Sequence, residues 1–159
     1  KDAHEDLFIR GAKEVLDIQF RAGISIPTDG EVRRENYIHY HCRHLGGFDF
    51  DTLEHRVLRD GAYETELPAI RGKVVHSGKN YSAHDYVASQ GVSSRPVKFT
   101  LPGPLTIMDT TADCFYNDRP KLNAALAETI NKEILALVDA GCGYIQVDER
   151  CLRVQSKTR

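Results

Sequence analysis

"GCGYIQVDER", residues 141–150, begins as a buried strand and ends as something else. Glycines at 141 and 143 precede Tyr144, Ile145 and Val147, and then two carboxylates, Asp148 and Glu149, stand side by side. An uncompensated carboxylate costs many kcal/mol to bury, so acids closing an apolar strand must face water, a cation or a ligand. The strand is therefore expected to end at an open mouth of the fold.

The residues before this stretch say what kind of fold it is. From about Pro120 to Ala140, Leu122, Leu126, Ile130, Ile134 and Leu137 recur on one helical face. An earlier helix is expected from about Glu5 to Ala22, with Phe8, Ala12, Val15, Leu16 and Phe20 at three- and four-residue steps. It is closed by Gly23 and followed by a short strand at "ISI", residues 24–26. The two junctions, "FRAGISI" and "VDAGCGYI", echo one another: helix, Ala-Gly, strand. Between them, "RPVKFTLPGPLTI" (95–107) predicts a further strand broken by Pro102, Gly103 and Pro104. Its side chains either alternate between two environments or are buried on both faces. A short helix capped by Ser82 is expected just before it. Residues 46–80 read as a hairpin-like excursion, with Asp60-Gly61 as its turn signal.

Strands alternating with helices argue for an α/β fold with parallel strands and right-handed crossovers. Three strands end in turn-forming or acidic residues: "TDGE", "LPGP" and "VDER". In a (β/α)8 barrel the strand C-termini build the active-site face, and in an open doubly wound sheet they do so at the switch point. Either way, Glu31 and Asp148 converge on one mouth.

Composition narrows the partners. With 159 residues the chain is expected to be one domain, residues 1–159. A hydrophobic share of 41% and a charged share of 28% are those of soluble globular proteins. The net charge of -2 gives no reason to expect nucleic acid or an anionic membrane as partner. No apolar run approaches the ~20 residues that cross a bilayer. The four cysteines, Cys42, Cys114, Cys142 and Cys151, form no C-x-x-C pair and are too few for a disulfide scaffold. Reduced thiols and a cytoplasmic location are the expectation.

Three motifs in order now carry a resemblance. "TDGE" followed by Arg34-Glu35-Asn36, "VKFTLPGPLTI" (97–107) and "DAGCGYIQVDE" (139–149) together resemble the catalytic barrel of the cobalamin-independent methionine synthase family, over about residues 13–149. The resemblance implies part of a (β/α)8 TIM-type barrel: roughly three parallel strands with crossover helices and the inserted excursion. It implies zinc-dependent methyl transfer to the thiol of homocysteine, giving methionine. In that family a zinc ion activates the thiol, and two acids hold the amino-acid ammonium. By motif those acids fall on Glu31 and Asp148, the substrate-binding residues expected here.

Other features depart from the family. Arg150 stands where it has a proline, and the chain has no tryptophan, leaving folate and corrinoid open as methyl donor. The family's zinc ligands follow the D-E strand in a later part of the barrel. No metal ligand is therefore assigned in this sequence, and the chain is expected to be an incomplete catalytic domain that neither holds zinc nor transfers methyl groups alone. Uncovered sheet edges would then favour self-association. The related alternatives are alkyl transfer to another thiol, a uroporphyrinogen-decarboxylase-like reaction, or a non-catalytic fragment needing a partner.

One local cluster imitates a metal site: "NYIHYHCRHLGG", with His39, His41, Cys42 and His44. On a helix His41 and His44 share a face and His39 points away. The plainer reading is a helix at the mouth whose histidines are solvated or meet a substrate anion. Arg33 and Arg34 beside it either reach a substrate carboxylate or phosphate, or form a solvated face.

Overall fold

The computed structural model describes residues 3–58 and 62–149. Helix α1 (Ala3–Arg21) buries Ala12 and Leu16 completely, as its periodicity requires. It ends in a reciprocal pair of hydrogen bonds: Gly23 N–H donates to the Phe20 carbonyl and Ile24 N–H to the Gln19 carbonyl, both at 3.0 Å. Gly23 makes this possible with φ 84°, a left-handed value that costs glycine little. Helix α5 (Arg119–Asp139) ends in the same way. Gly141 (φ 87°) donates to Val138 and Cys142 donates to Leu137, both at 2.9 Å. The echo in the sequence is thus a repeated helix stop. At the other end of α5, the Asp118 side chain accepts from Lys121 N–H at 3.1 Å and caps the helix.

Strand β3 (Lys98–Pro102) and strand β5 (Tyr144–Asp148) pair in parallel, from Lys98 opposite Tyr144 to Pro102 opposite Asp148. Phe99 and Leu101 point from β3 into a core with Leu16, Tyr86, Val97, Leu137 and Cys142. Each such large side chain contributes about 1.5–3 kcal/mol on burial. Phe99 through Pro102 are all buried, so β3 is enclosed on both faces. Among the described residues β5 pairs with β3 alone.

The excursion is a long antiparallel pair, β1 (Leu45–Leu58) and β2 (Tyr63–His76), while the Asp60-Gly61 turn signal lies outside the described residues. A two-residue strand, β4 (Ala112–Asp113), runs parallel to β2. A second core of Cys42, Leu45, Ile70, Val74, Ile107, Leu122 and Leu126 lies beneath this sheet. Glu133, buried on α5, ties the pieces together: it meets His76 of β2 at 2.5 Å and accepts from Ser82 N–H at 3.1 Å.

Three expectations are corrected. No strand forms at residues 24–26; the chain instead makes a single parallel bridge at Thr28, opposite Lys98. Pro27 has no N–H to donate, and both backbone groups of Thr28 are taken by the Gln19 side-chain amide, at 2.8 and 3.0 Å. Ser82 does not cap α3 (Tyr81–Gln90); Asn80 stands at that position and Ser82 is buried within the helix. The helix read over the histidines forms as the five-residue α2 (His39–Arg43), and a second five-residue helix, α4 (Pro104–Met108), stands where only a break after the strand was expected, being too short for a periodic signal. Among the described residues no helix is long and apolar enough to cross a membrane.

Candidate functional site

Thr28, β3 and β5 run in one direction, so whatever follows each of them lies at one end of the sheet. Glu31 follows Thr28 by three residues and Asp148 closes β5. Strand alternation puts Lys98, Thr100, Gln146 and Asp148 on one face, opposite the apolar face that packs on the helices. The predicted pair of acids therefore shares an end and a polar face.

Glu31 is held in an unusual backbone state. Its φ is 57°, left-handed for a residue with a side chain, and Gly30 before it is left-handed too, at 69°. Asp29, buried beneath them, accepts from Glu31 N–H at 2.9 Å and fixes the turn. Burial pushes the Asp29 carboxyl above its usual range, against the pull of Arg34 and of that hydrogen bond. On the Glu31 side chain, Oε1 accepts from the Thr100 hydroxyl at 2.8 Å and lies 3.1 Å from the Arg34 guanidinium. Among the described residues no bond reaches Oε2.

The adjacent acids that close β5 divide their work. Glu149 is structural: its carboxylate accepts from the N–H groups of Leu105 (3.2 Å) and Thr106 (3.0 Å), at the start of α4. It fits there because Gly103 has no Cβ, which would otherwise fall on the Glu149 carboxyl. Asp148 points elsewhere. Its Oδ1 accepts from Gln146 Nε2 at 2.6 Å, and Gln146 Oε1 in turn accepts from Lys98 Nζ at 2.8 Å. A chain of polar groups thus crosses the sheet toward Asp148.

The histidine cluster is dispersed. His39 lies 3.2 Å from the Thr110 carbonyl oxygen. His41 on α2 and His44 just past its end both meet Tyr81, as helical spacing allows. His41 Nδ1 is 3.2 Å from its hydroxyl, and the His44 ring stacks on it at 4.2 Å. His41 is 2% exposed, so the expectation of solvated or anion-binding histidines fails for it. The arginines are not a solvated face either. Arg33 grips Glu5 and lies 3.6 Å from Asp85, while Arg34 is buried against Thr100.

A zinc ion needs three or four His, Cys, Asp or Glu side chains converging on one point. Among the described residues no group of three or more does so. Burial also holds the Cys42 and Cys142 thiols above their ordinary range, away from the thiolate a metal takes. The described residues do not fit a zinc ion.

Residues 2–159 match the family described as cobalamin-independent synthase, catalytic domain. The chain belongs to that family. It is 31% identical to a methionine synthase of Sulfolobus acidocaldarius over 96% of its own length and 44% of the relative's. It is 30% identical to a methionine synthase of Saccharolobus solfataricus over 99% of its length and 47% of the relative's. A B12-independent methionine synthase from Shewanella sp., solved in complex with selenomethionine, superposes with a TM-score of 0.77 at 34% identity, covering 89% of this chain and 42% of that one. The chain thus spans less than half the length of these relatives.

Within this chain, sequence reasoning missed Thr100, Gln146 and the internal role of Arg34. Thr100 and Gln146 lay in plain view on the paired strands β3 and β5, two residues before Pro102 and Asp148. Period-2 alternation from Asp148 would have found Gln146, and the pairing of β3 with β5 was needed to find Thr100.

Proposed function

We propose that the complete protein transfers a methyl group to the thiol of homocysteine, giving methionine, on a (β/α)8 barrel. This chain would supply the strands that hold the amino-acid end of the substrate. The observation that carries the reading is the placing of Glu31 and Asp148 on one face at the C-terminal end of the same parallel strands, where barrels bind substrates. Membership of the synthase family and the names of its relatives support the reaction class.

In this reading an ammonium group is held between two carboxylates, which fixes the amino acid while its thiol extends toward the methyl donor. Methyl transfer forms one S–CH3 bond and breaks the bond between that methyl group and its donor, which leaves with the bonding electron pair; the attacking sulfur must have lost its proton. A zinc ion would favour that deprotonation, with ligands from residues other than those described. The internal engagement of Arg33 and Arg34 argues against the uroporphyrinogen-decarboxylase-like alternative, which calls for arginines open to substrate carboxylates.

Calorimetric titration of the complete protein with homocysteine tests the assignment. Glu31→Gln and Asp148→Asn should each weaken binding by about one to two orders of magnitude, the loss of a hydrogen bond to a charged group at about 1.5–3 kcal/mol. Unchanged affinity in both variants rejects it.

A further inference from the structure

We infer that Thr100 and Arg34 are positioning residues that lock one oxygen of Glu31 and reserve the other for the substrate ammonium. The inference rests on the reading above, in which Glu31 binds that group.

The polarities admit one arrangement. Arg34 can only donate, and it donates from one terminal nitrogen to the Thr100 hydroxyl oxygen and from the other to the Thr100 carbonyl, both at 3.0 Å. The Thr100 hydroxyl has one proton, and it goes to Glu31 Oε1 at 2.8 Å. The sequence of donors therefore runs Arg34 to Thr100 to Glu31, with a direct Arg34 contact to the same oxygen at 3.1 Å. The anchor is rigid. The Arg34 side chain is 1% exposed, its guanidinium lies 5.0 Å from the Phe99 ring centroid, and Thr100 sits inside β3.

The carboxylate it holds is not buried with it: the Glu31 side chain is 32% exposed. A pair formed only to neutralise a buried arginine would not need a left-handed backbone at Glu31, braced by a buried Asp29 and a second left-handed residue at Gly30. Non-glycine residues in that region persist where the surroundings force them, and they gather at functional sites. Here the forced turn delivers one carboxylate whose Oε1 accepts from Thr100 and lies against Arg34, while among the described residues no bond reaches Oε2. A glutamate held in this way has already lost its rotamer freedom before substrate arrives, which is how a binding site is pre-organised.

Threonine and its two nearest relatives separate this role from packing. Valine keeps the shape of Thr100 and loses the hydroxyl; serine keeps the hydroxyl and loses the methyl. In homocysteine titrations of the complete protein, Thr100→Val should weaken binding about tenfold, while Thr100→Ser stays within about threefold of the parent. In a Glu31→Gln background, Thr100→Val should add no further loss, because the two act through one contact. If valine binds as the parent does while serine is the weaker, Thr100 is a packing residue and the inference is overturned. If Glu31→Gln weakens binding and Thr100→Val does not, positioning alone is wrong. If Glu31→Gln itself changes nothing, the reading of Glu31 falls and takes the inference with it. Should Thr100→Val fail to fold, Arg34→Lys carries the comparison, since lysine keeps the charge and loses the two-pronged grip, and it should weaken binding likewise. Unfolding of both variants would assign these residues to the fold and overturn the inference.

Discussion

His41 has one ring nitrogen near the Tyr81 hydroxyl and the other, Nε2, buried with no hydrogen-bond partner among the described residues. Its pKa is held well below the ordinary histidine range, first by burial and then by the nearby charges of Arg34 and His44. His44 is lowered as well, again chiefly by burial. A group whose folded pKa is depressed contributes stability that is present above its unfolded value, about 6.5 for histidine, and lost as pH falls below it. The unfolded chain then takes up protons that the folded one refuses. Asp29, raised by burial, acts in the opposite sense: its contribution is full below the ordinary aspartate value, about 3.9, and is lost as pH rises from there through its raised pKa. Urea denaturation should therefore show a lower midpoint at pH 5.5 than at pH 7.5, and His41→Leu should remove part of the difference. Equal midpoints in the parent protein would mean that the histidines are not held neutral. That His41 and His44 share a face was legible from helical spacing. That Tyr81, 40 residues away from His41, would cover both was not, because spacing says nothing about which distant element packs there.

At the scale of elements, the helices were the most legible part, since burial along α1 and α5 follows the spacing of their apolar residues. The Ala-Gly junctions were legible too, as each glycine stands where a left-handed residue ends a helix. The strand expected at residues 24–26 failed for a reason that side-chain pattern cannot display: where the backbone groups find partners. Gln19, on the last turn of α1, accepts from Thr28 N–H and donates to its carbonyl, as a neighbouring strand would. Gln19→Leu should leave both groups unpaired and destabilise the fold by about 1–3 kcal/mol, with faster hydrogen exchange at the Thr28 amide. An unchanged denaturation midpoint together with unchanged protection at Thr28 would show that the side chain is dispensable there.

For the molecule as a whole, the account depends on direction. Parallel pairing of β3 with β5, extended by the bridge at Thr28, gathers the ends of three segments that lie far apart in the sequence. Acids at the close of apolar strands were legible as a site because burying them without a partner is so costly. The division between them was not: Glu149 serves the backbone of α4, while Asp148 and Glu31 each face the polar side with one oxygen engaged by a neighbour. Residue types alone could not separate these roles, since each depends on a contact between strands. The most direct test is a crystal structure of the complete protein with homocysteine or selenomethionine bound. The account predicts the amino-acid nitrogen within hydrogen-bond distance, about 2.7–3.2 Å, of Glu31 Oε2 and of the Asp148 carboxylate. A ligand bound with its carboxylate at this end, or with its nitrogen held by other residues, would contradict it.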